Sequence, residues 1–282
     1  MDSQPIASVS VVGLGKMGNA VARNLAKGGF RVRGFDIDAN ARATAAAGGV
    51  VAGSSPADVA RDTDLIIVLT AFEHQVEDVL FGVNGIVGAA PPGAIIAIAA
   101  TISPSMMKDM ARRIEAAGLV PLDTPLCRPE HAAEAGQLLI TGGGDLQAFE
   151  RCRPAFSTFA TDIFHLGPAG CGETGKMVNN LILWSCLVAN HEGLALGEKF
   201  GVDREAMREM LLKSSGDNWA LRERINFLPM PWPWAEKDMM IVLHEADNMR
   251  LSVPLCGTVK EVVKGIKIAR NDFSGALAQP DH

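Results

Sequence analysis

The sequence predicts an α/β chain: an N-terminal Rossmann-type doubly wound parallel sheet followed by an all-helical C-terminal half. Three observations carry that expectation. Strand-like and helix-like segments alternate through the first 165 residues. A glycine turn, Gly13-Leu14-Gly15-Lys16-Met17-Gly18, follows the first strand segment and opens a helix. Beyond Gly167-Pro168 the strand pattern stops and long helical stretches take over. Alternation with short glycine connections is the signature of βαβ units and a parallel sheet.

The elements follow in order. Ser8–Val12 is a short β-branched run, and the stretch from Asn19 to Lys27 reads as helix. Arg31–Asp36 alternates like a strand. Asp64–Thr70 and Ala94–Ala99 are continuous apolar runs, as expected of strands buried on both faces. Between and after them, Pro56–Arg61, Val76–Phe81 and Pro104–Ala117 read as helices, with Gly118 as a stop before the strand Leu119–Asp123. Gly172–Phe200 contains no proline and reads as one long helix. Helical stretches follow at Asp203–Lys213, Asn218–Ile225, Glu236–Asn248 and Leu255–Arg270, and Ser274–His282 reads as a loose tail. The expected boundary lies near residue 166: a nucleotide-binding domain over 1–166, and a helical substrate and oligomerisation domain over 167–282.

Composition narrows the function. The chain has 282 residues, 48% of them hydrophobic and 21% charged, with a formal net charge of −6. A length of this order suits two domains. The acidic balance and lack of a Lys/Arg block argue against nucleic acid or an anionic membrane as partner. No apolar run approaches the ~20 residues of a spanning helix. Met1–Ser10 lacks the layout of a secretion signal. The five cysteines form no CxxC or Cys/His ligand spacing, so a reduced cytoplasm and no metal are expected. There is no tyrosine, which excludes the Tyr-x-x-x-Lys chemistry of short-chain dehydrogenases.

In the glycine turn the first glycine permits the tight turn and the second lets backbone approach a pyrophosphate. The third lets helix pack on strand, and the helix N-terminus offers free N–H groups to phosphate. Asp36 ends the second strand about 20 residues on, where a carboxylate can take both ribose hydroxyls and repel a 2′-phosphate. NAD is therefore expected over NADP. Arg31, Arg33 and Arg42 are either surface charges or a counter-argument.

The run GLGKMGNAVARNLAKGG resembles the opening signature of the β-hydroxyacid dehydrogenases, which include 3-hydroxyisobutyrate dehydrogenase and tartronate semialdehyde reductase. Asp123-Thr124-Pro125-Leu126, with Ala133, Gly136 and Leu138, is similar to that family's substrate motif. Gly170-Cys171-Gly172-Glu173-Thr174-Gly175-Lys176-Met177-Val178-Asn179-Asn180 is similar to its catalytic motif. Ser214-Ser215-Gly216 with Trp219, Lys237-Asp238-Met239 and Asp272-Phe273-Ser274 match later landmarks, so the resemblance covers nearly the whole chain.

Lys176, Asn179 and Asn180 fall at i, i+3 and i+4 and share one side of the long helix. The glycines before Lys176 are read as permitting close ligand approach, with the asparagines orienting its ammonium. A lysine near a helix N-terminus and partly buried is suited to trading protons. The resemblance implies that Lys176 donates the proton in carbonyl reduction and accepts it in alcohol oxidation. It implies that Asn180 holds the substrate oxygen and the lysine, with Asn179 and Trp219 on the substrate. It places Leu69-Thr70 and Thr101 by the nucleotide, with Lys237 reaching toward the closed site from the helical domain. The site is expected in the cleft between the domains, and a homodimer or homotetramer is expected.

Departures from the family pattern matter. Where the family reads DAPVSGG, this chain reads Asp123-Thr124-Pro125-Leu126-Cys127-Arg128-Pro129. A hydroxyl and a glycine are lost, and Pro129 has no N–H to give. Arg128 is then expected to supply a forked anion anchor for the substrate, unless it turns to solvent. A sulfolactaldehyde-type sulfonate reductase is one alternative, although the further serine of that branch is Leu183 here. The family's Asp-Ser-Ser before Thr101 is Ile98-Ala99-Ala100, expected to make the cleft wall more apolar. Trp232 and Trp234 either add to the pocket or form a packing turn. Cys127 and Cys171 are read as packing or lining groups, not nucleophiles. An imine reductase-like enzyme and a non-catalytic NAD sensor are the remaining alternatives.

Overall fold

A computed structural model gives residues 5–223 and 234–269 of the chain. Contacts divide it into two compact units, Met1–Lys176 and Met177–His282. The division falls inside the long helix, ten residues beyond the boundary drawn near 166.

The first unit is a nine-stranded sheet carrying helices. Its parallel half comprises β1 (Ser8–Val12), β2 (Arg31–Phe35), β3 (Val51–Ala52), β4 (Leu65–Val68), β5 (Ile95–Ile98) and β6 (Val120–Asp123). After these come β7 (Leu126–Cys127), β8 (Leu138–Gly144) and β9 (Ala160–His165). The order is β3-β2-β1-β4-β5-β6-β8-β7, with β9 also paired to β8. The expected parallel doubly wound sheet is present over β1–β6, and an antiparallel extension makes the whole sheet mixed. Pairs among β1–β6 are parallel, but β8 runs antiparallel to β6 and β7. The glycine-ended run LLITGGG of β8 lacks the apolar alternation by which a strand is recognised.

Every residue of β1, β4 and β5 is buried. Helices cover both faces, and two apolar clusters fill the space on either side of the sheet. Among the helices, α1 (Lys16–Lys27) grows from the glycine turn and α2 (Ala39–Ala47) follows β2. The alanine-rich α2 was not legible as a helix because it buries only Ala45; Asp38 caps it by accepting from Asn40 N. Then come α3 (Pro56–Ala60), α4 (Glu73–Phe81), α5 (Pro104–Ala116), α6 (Glu130–Glu134) and α7 (Leu146–Phe156). Ile98, Ala99 and Ala100 are buried in the core. Their apolar character therefore serves packing, not the cleft wall expected from sequence.

From residue 171 onward every regular element among the described residues is a helix. These are α8 (Cys171–Lys199), α9 (Arg204–Leu211), α10 (Trp219–Arg222), α11 (Ala235–Asn248) and α12 (Pro254–Ala269). The second unit has its own core, in which Leu187 and Val188 of α8 pack with Met239, Val242, Cys256, Val259 and Val263. Among the described residues no helix is long and apolar enough to cross a membrane. Trp232, the Asp272-Phe273-Ser274 landmark and the tail 274–282 lie outside the described residues.

Candidate functional site

β1 lies between β2 and β4, so chain connections leave its two sides in opposite directions. The crevice beyond the carboxyl end of such a strand is where nucleotides bind in open α/β sheets. Three sequence-predicted groups meet there. Gly13 N donates to Phe35 O at 2.8 Å, and Leu69 N to Val12 O at 2.8 Å. Asp36 accepts from Leu14 N at 2.6 Å through one carboxylate oxygen and from Asp38 N at 2.9 Å through the other. The acid thus ties the glycine turn to the end of β2.

The three glycines have different reasons. A Cβ on Gly13 would lie 2.3 Å from Leu69 O, and its φ is +97°. A Cβ on Gly18 would lie 1.8 Å from Gly13 O. Gly15 is exposed, and a Cβ there would meet nothing within 4 Å. Two glycines are therefore required by the protein's own packing, while the middle one guards open space. The hydroxyl of Thr70, after β4, is buried without a hydrogen-bond partner. An open cradle over a helix N-terminus, flanked by a waiting hydroxyl and a carboxylate, fits a dinucleotide.

The other residues of the turn act less directly than expected. The Leu14 side chain is buried in the core, and Met17 packs against the same cluster. Lys16 is largely exposed and pairs with Glu130 of α6 at 3.1 Å. Arg33 is committed to Asp58 at 2.8 Å, and Arg42 donates to the carbonyls of Asp36 and Ile37 at 2.6 and 3.2 Å. Thr101 lies three residues beyond β5, in the loop to α5.

The segment 170–180, which resembles the family's catalytic motif, opens α8 against β6. Asp123 is fully buried, and its carboxylate accepts from Glu173 N at 2.9 Å. Burial is the largest influence on this carboxyl and pushes its pKa up, against the pull of the Glu173, Gly170 and Gly172 amides. The glycines here answer packing and not ligand approach, which corrects the sequence reading. A Cβ on Gly172 would lie 2.6 Å from Thr141 O, and one on Gly175 2.4 Å from Leu166 Cδ1. They let the helix press onto the sheet. Glu173, which the sequence reading passed over, is fully buried and accepts from Ile102 N at 3.3 Å.

Lys176 is half-buried, and its Nζ donates to Leu126 O at 2.7 Å. The lysine is therefore held against β7, within the substrate-motif segment. Cys127 is buried in that strand opposite Leu139. Arg128 departs from expectation. Its Nη1 donates to Gln137 O at 2.7 Å and to Thr161 Oγ1 at 2.9 Å, while Nη2 pairs with Asp162 at 2.7 Å. The guanidinium is spent within the protein, because a carboxylate and two neutral acceptors lie within its reach. It is not the free anion anchor the sequence suggested.

Within the second unit, the asparagines are part of a network. Asn180 is buried and its Nδ2 donates to Asp238 Oδ2 at 2.9 Å, while Asn179 Nδ2 donates to Asn180 Oδ1 at 3.0 Å. Trp184 Nε1 donates to the same Asp238 oxygen at 2.9 Å. An amide nitrogen carries two hydrogens, so Asn180 keeps one for another acceptor. Lys237 is buried, with Nζ 5.8 Å from the centre of the Trp234 ring. Trp219 opens α10 and is 39% exposed.

The sequence matches the NAD binding domain of 6-phosphogluconate dehydrogenase over residues 8–167. Over residues 170–277 it matches the domain described as NAD-binding of NADP-dependent 3-hydroxyisobutyrate dehydrogenase. The chain belongs to the β-hydroxyacid dehydrogenases. It is 32% identical to 3-hydroxyisobutyrate dehydrogenase of Pseudomonas aeruginosa, a match covering 98% of this chain and 95% of that one. It is 33% identical to an NAD-dependent L-serine dehydrogenase of the same species, over 80% and 74% of the two chains. Mycobacterium tuberculosis 3-hydroxyisobutyrate dehydrogenase, solved with L-serine, superposes with a TM-score of 0.86 at 25% identity, covering 95% and 97%. As a member of this family the protein is a dehydrogenase acting on CH–OH groups with NAD(P) as acceptor, and the family's substrates are small hydroxy acids.

In this dehydrogenase the Asp238 carboxylate is a shared acceptor for two side chains, a role the sequence did not rank. Removing it leaves the Asn180 amide and Trp184 N–H without their acceptor, at about 1–3 kcal/mol for each unsatisfied donor. Asp238→Ala is expected to lower the denaturant midpoint by a corresponding amount, and Asp238→Asn by less. Equal midpoints for Asp238→Ala and the parent would show that the network carries no stability.

Proposed function

We propose that the protein catalyses reversible oxidation of a small anionic 3-hydroxy acid to its semialdehyde, with NAD as cofactor and Lys176 as proton carrier. The observation that carries this reading is the 2.7 Å hydrogen bond from Lys176 Nζ to Leu126 O. It fixes an ammonium group beside the substrate-motif strand, at the start of a helix. NAD, when bound, accepts or returns the hydride. It would be held by the Gly13–Gly18 turn, Asp36, Leu69, Thr70 and Thr101.

Lys176 gives its proton to the carbonyl oxygen in reduction and takes it back from the hydroxyl in oxidation. The spare hydrogen on Asn180 Nδ2 steadies that same oxygen. Asn179 orients Asn180, and Cys127 borders the substrate beside the lysine's β7 partner. With the Arg128 side chain committed to Asp162, the acid group relies on backbone donors of the turn after β7. Residue 128 keeps a φ of +82°, the left-handed conformation that glycine favours, so the turn retains its backbone shape. A homodimer or homotetramer goes with this reading, supported by the exposed Val178, Ile182, Leu196 and Phe200 along α8.

The test is a panel of L-serine, L-threonate, 3-hydroxyisobutyrate and 2-(hydroxymethyl)glutarate, each with NAD⁺ and NADP⁺. Turnover of at least one with NAD⁺ supports the reading, and no turnover of any hydroxy acid with either cofactor defeats it. Cofactor choice gives a separate result. On this reading the Asp36 carboxylate at the end of β2 faces the ribose and repels a 2′-phosphate, so kcat/KM should favour NADH over NADPH by at least about tenfold, or ~1.4 kcal/mol. Asp36→Ala should narrow that gap. Equal use of both cofactors by the unmodified enzyme would rule out the carboxylate as discriminator.

A further inference from the structure

We propose that Arg128 and Asp162 form a clamp that positions the catalytic lysine, making Arg128 a positioning residue. The proposal rests on the reading of Lys176 as proton carrier. β7 is only two residues long, and among the described residues β8 is its single strand neighbour. Yet Leu126 of that strand supplies the carbonyl that holds Lys176 Nζ. A two-residue edge strand that leads into a strained turn needs another restraint if it is to hold a reacting group in place.

Arg128 supplies one. Cys127 is in register with Leu139 of β8, and Leu139 is in register with Asp162 of β9. The side chain of the next residue, Arg128, therefore reaches across β8 to β9. The register shifts there: Leu138 pairs with Ala160 and Leu139 with Asp162, leaving Thr161 as an extra residue. A bulge of this kind re-aims side chains. Here the Thr161 hydroxyl donates to Asp162 at 2.8 Å and accepts from Arg128 at 2.9 Å. One guanidinium thus joins the exit of β7, the residue preceding β8 and the bulge of β9. The Thr161 hydroxyl, followed by Arg128, holds the Asp162 carboxyl below the usual carboxylate range, so this acceptor is ionised at neutral pH.

The backbone explains why a clamp is needed. A non-glycine residue at φ +82° is strained, since its Cβ crowds the neighbouring carbonyl. Of the other two described non-glycine residues at positive φ, Arg250 follows the end of α11 and Asp62 lies in the turn before β4. Arg128 lies instead between a strand and Pro129, and its forked contacts offset the strain. Glycine would need no such compensation.

That difference supplies the test. Arg128→Ala keeps the strain and loses the clamp, Arg128→Gly loses both, and Asp162→Ala removes the partner. With whichever hydroxy acid of the panel is turned over fastest, Arg128→Ala is expected to lower kcat about fivefold or more. KM for NADH should stay within about twofold, and any rise in KM for the acid should be reversed in Arg128→Gly. Arg128→Gly should recover most of the loss. Asp162→Ala should match Arg128→Ala, and the double variant should be no worse than either, as for two members of one interaction.

An unchanged kcat in Arg128→Ala overturns the clamp. So does a large rise in KM for the acid shared by the alanine and glycine variants, which would make Arg128 a substrate anchor. Amide hydrogen exchange of the peptide spanning 123–129 needs no substrate and separates this proposal from the functional one. Exchange should quicken about tenfold in Arg128→Ala but not in Arg128→Gly. If no hydroxy acid is turned over, the functional reading fails, and unchanged exchange in Arg128→Ala still overturns the clamp.

Discussion

Lys176→Ala is expected to cut kcat by at least ~10²-fold, the scale of a lost general acid–base group, while NADH affinity stays close to the parent value. The lysine is half-buried and its Nζ is committed to Leu126 O, so its removal deletes a group held in place, not a mobile surface charge. Steady-state kinetics on the best substrate of the panel would measure the first quantity, and quenching of tryptophan fluorescence by NADH the second. Near-parent turnover by Lys176→Ala would mean that the proton travels by another route.

The second large effect concerns two glycines, two residues apart, with opposite expected phenotypes. In Gly15→Ala the new methyl group meets no protein atom within 4 Å, and φ is an ordinary −59°. Thermal stability should hardly change, yet the methyl group would occupy the space offered to the pyrophosphate. The Kd for NADH should rise at least about tenfold, or ~1.4 kcal/mol. In Gly13→Ala the methyl group falls 2.3 Å from Leu69 O on a backbone at φ +97°. Left-handed strain of about 1–2 kcal/mol and overpacking of about 1–3 kcal/mol both weigh on the fold. A clear drop in the denaturant midpoint of the first unit is therefore expected. If Gly15→Ala binds NADH as tightly as the parent, the open cradle is not the cofactor site.

The nucleotide half was the most legible part of the chain. The apolar runs of β4 and β5, the glycine turn and Asp36 all act through local rules. Strands buried on both faces must be apolar throughout, a tight turn needs glycine, and an acid at a strand end must lie near the following loop. The single long helix from 171 to 199 was equally plain, because that stretch contains no proline. Much between 124 and 165 went unplaced. A two-residue strand such as β7 carries no periodicity, and β8 ends in three glycines that read as loop.

The sequence by itself determined the α/β-then-helical architecture, the dinucleotide turn, and the grouping of Lys176, Asn179 and Asn180 along one helix. Each depends on residues close together in the chain, where spacing fixes geometry. Tertiary structure alone decided the partners of the charged and polar side chains. Arg128 meets Asp162, 34 residues away, through a bulge with no sequence signature. Asn180 and Trp184 meet Asp238 more than 50 residues away. A long flexible side chain can satisfy its hydrogen bonds toward a ligand or toward its own fold with equal ease. Only the placement of distant acceptors settles which it does, and for Arg128 they lie in β9 and at the start of β8.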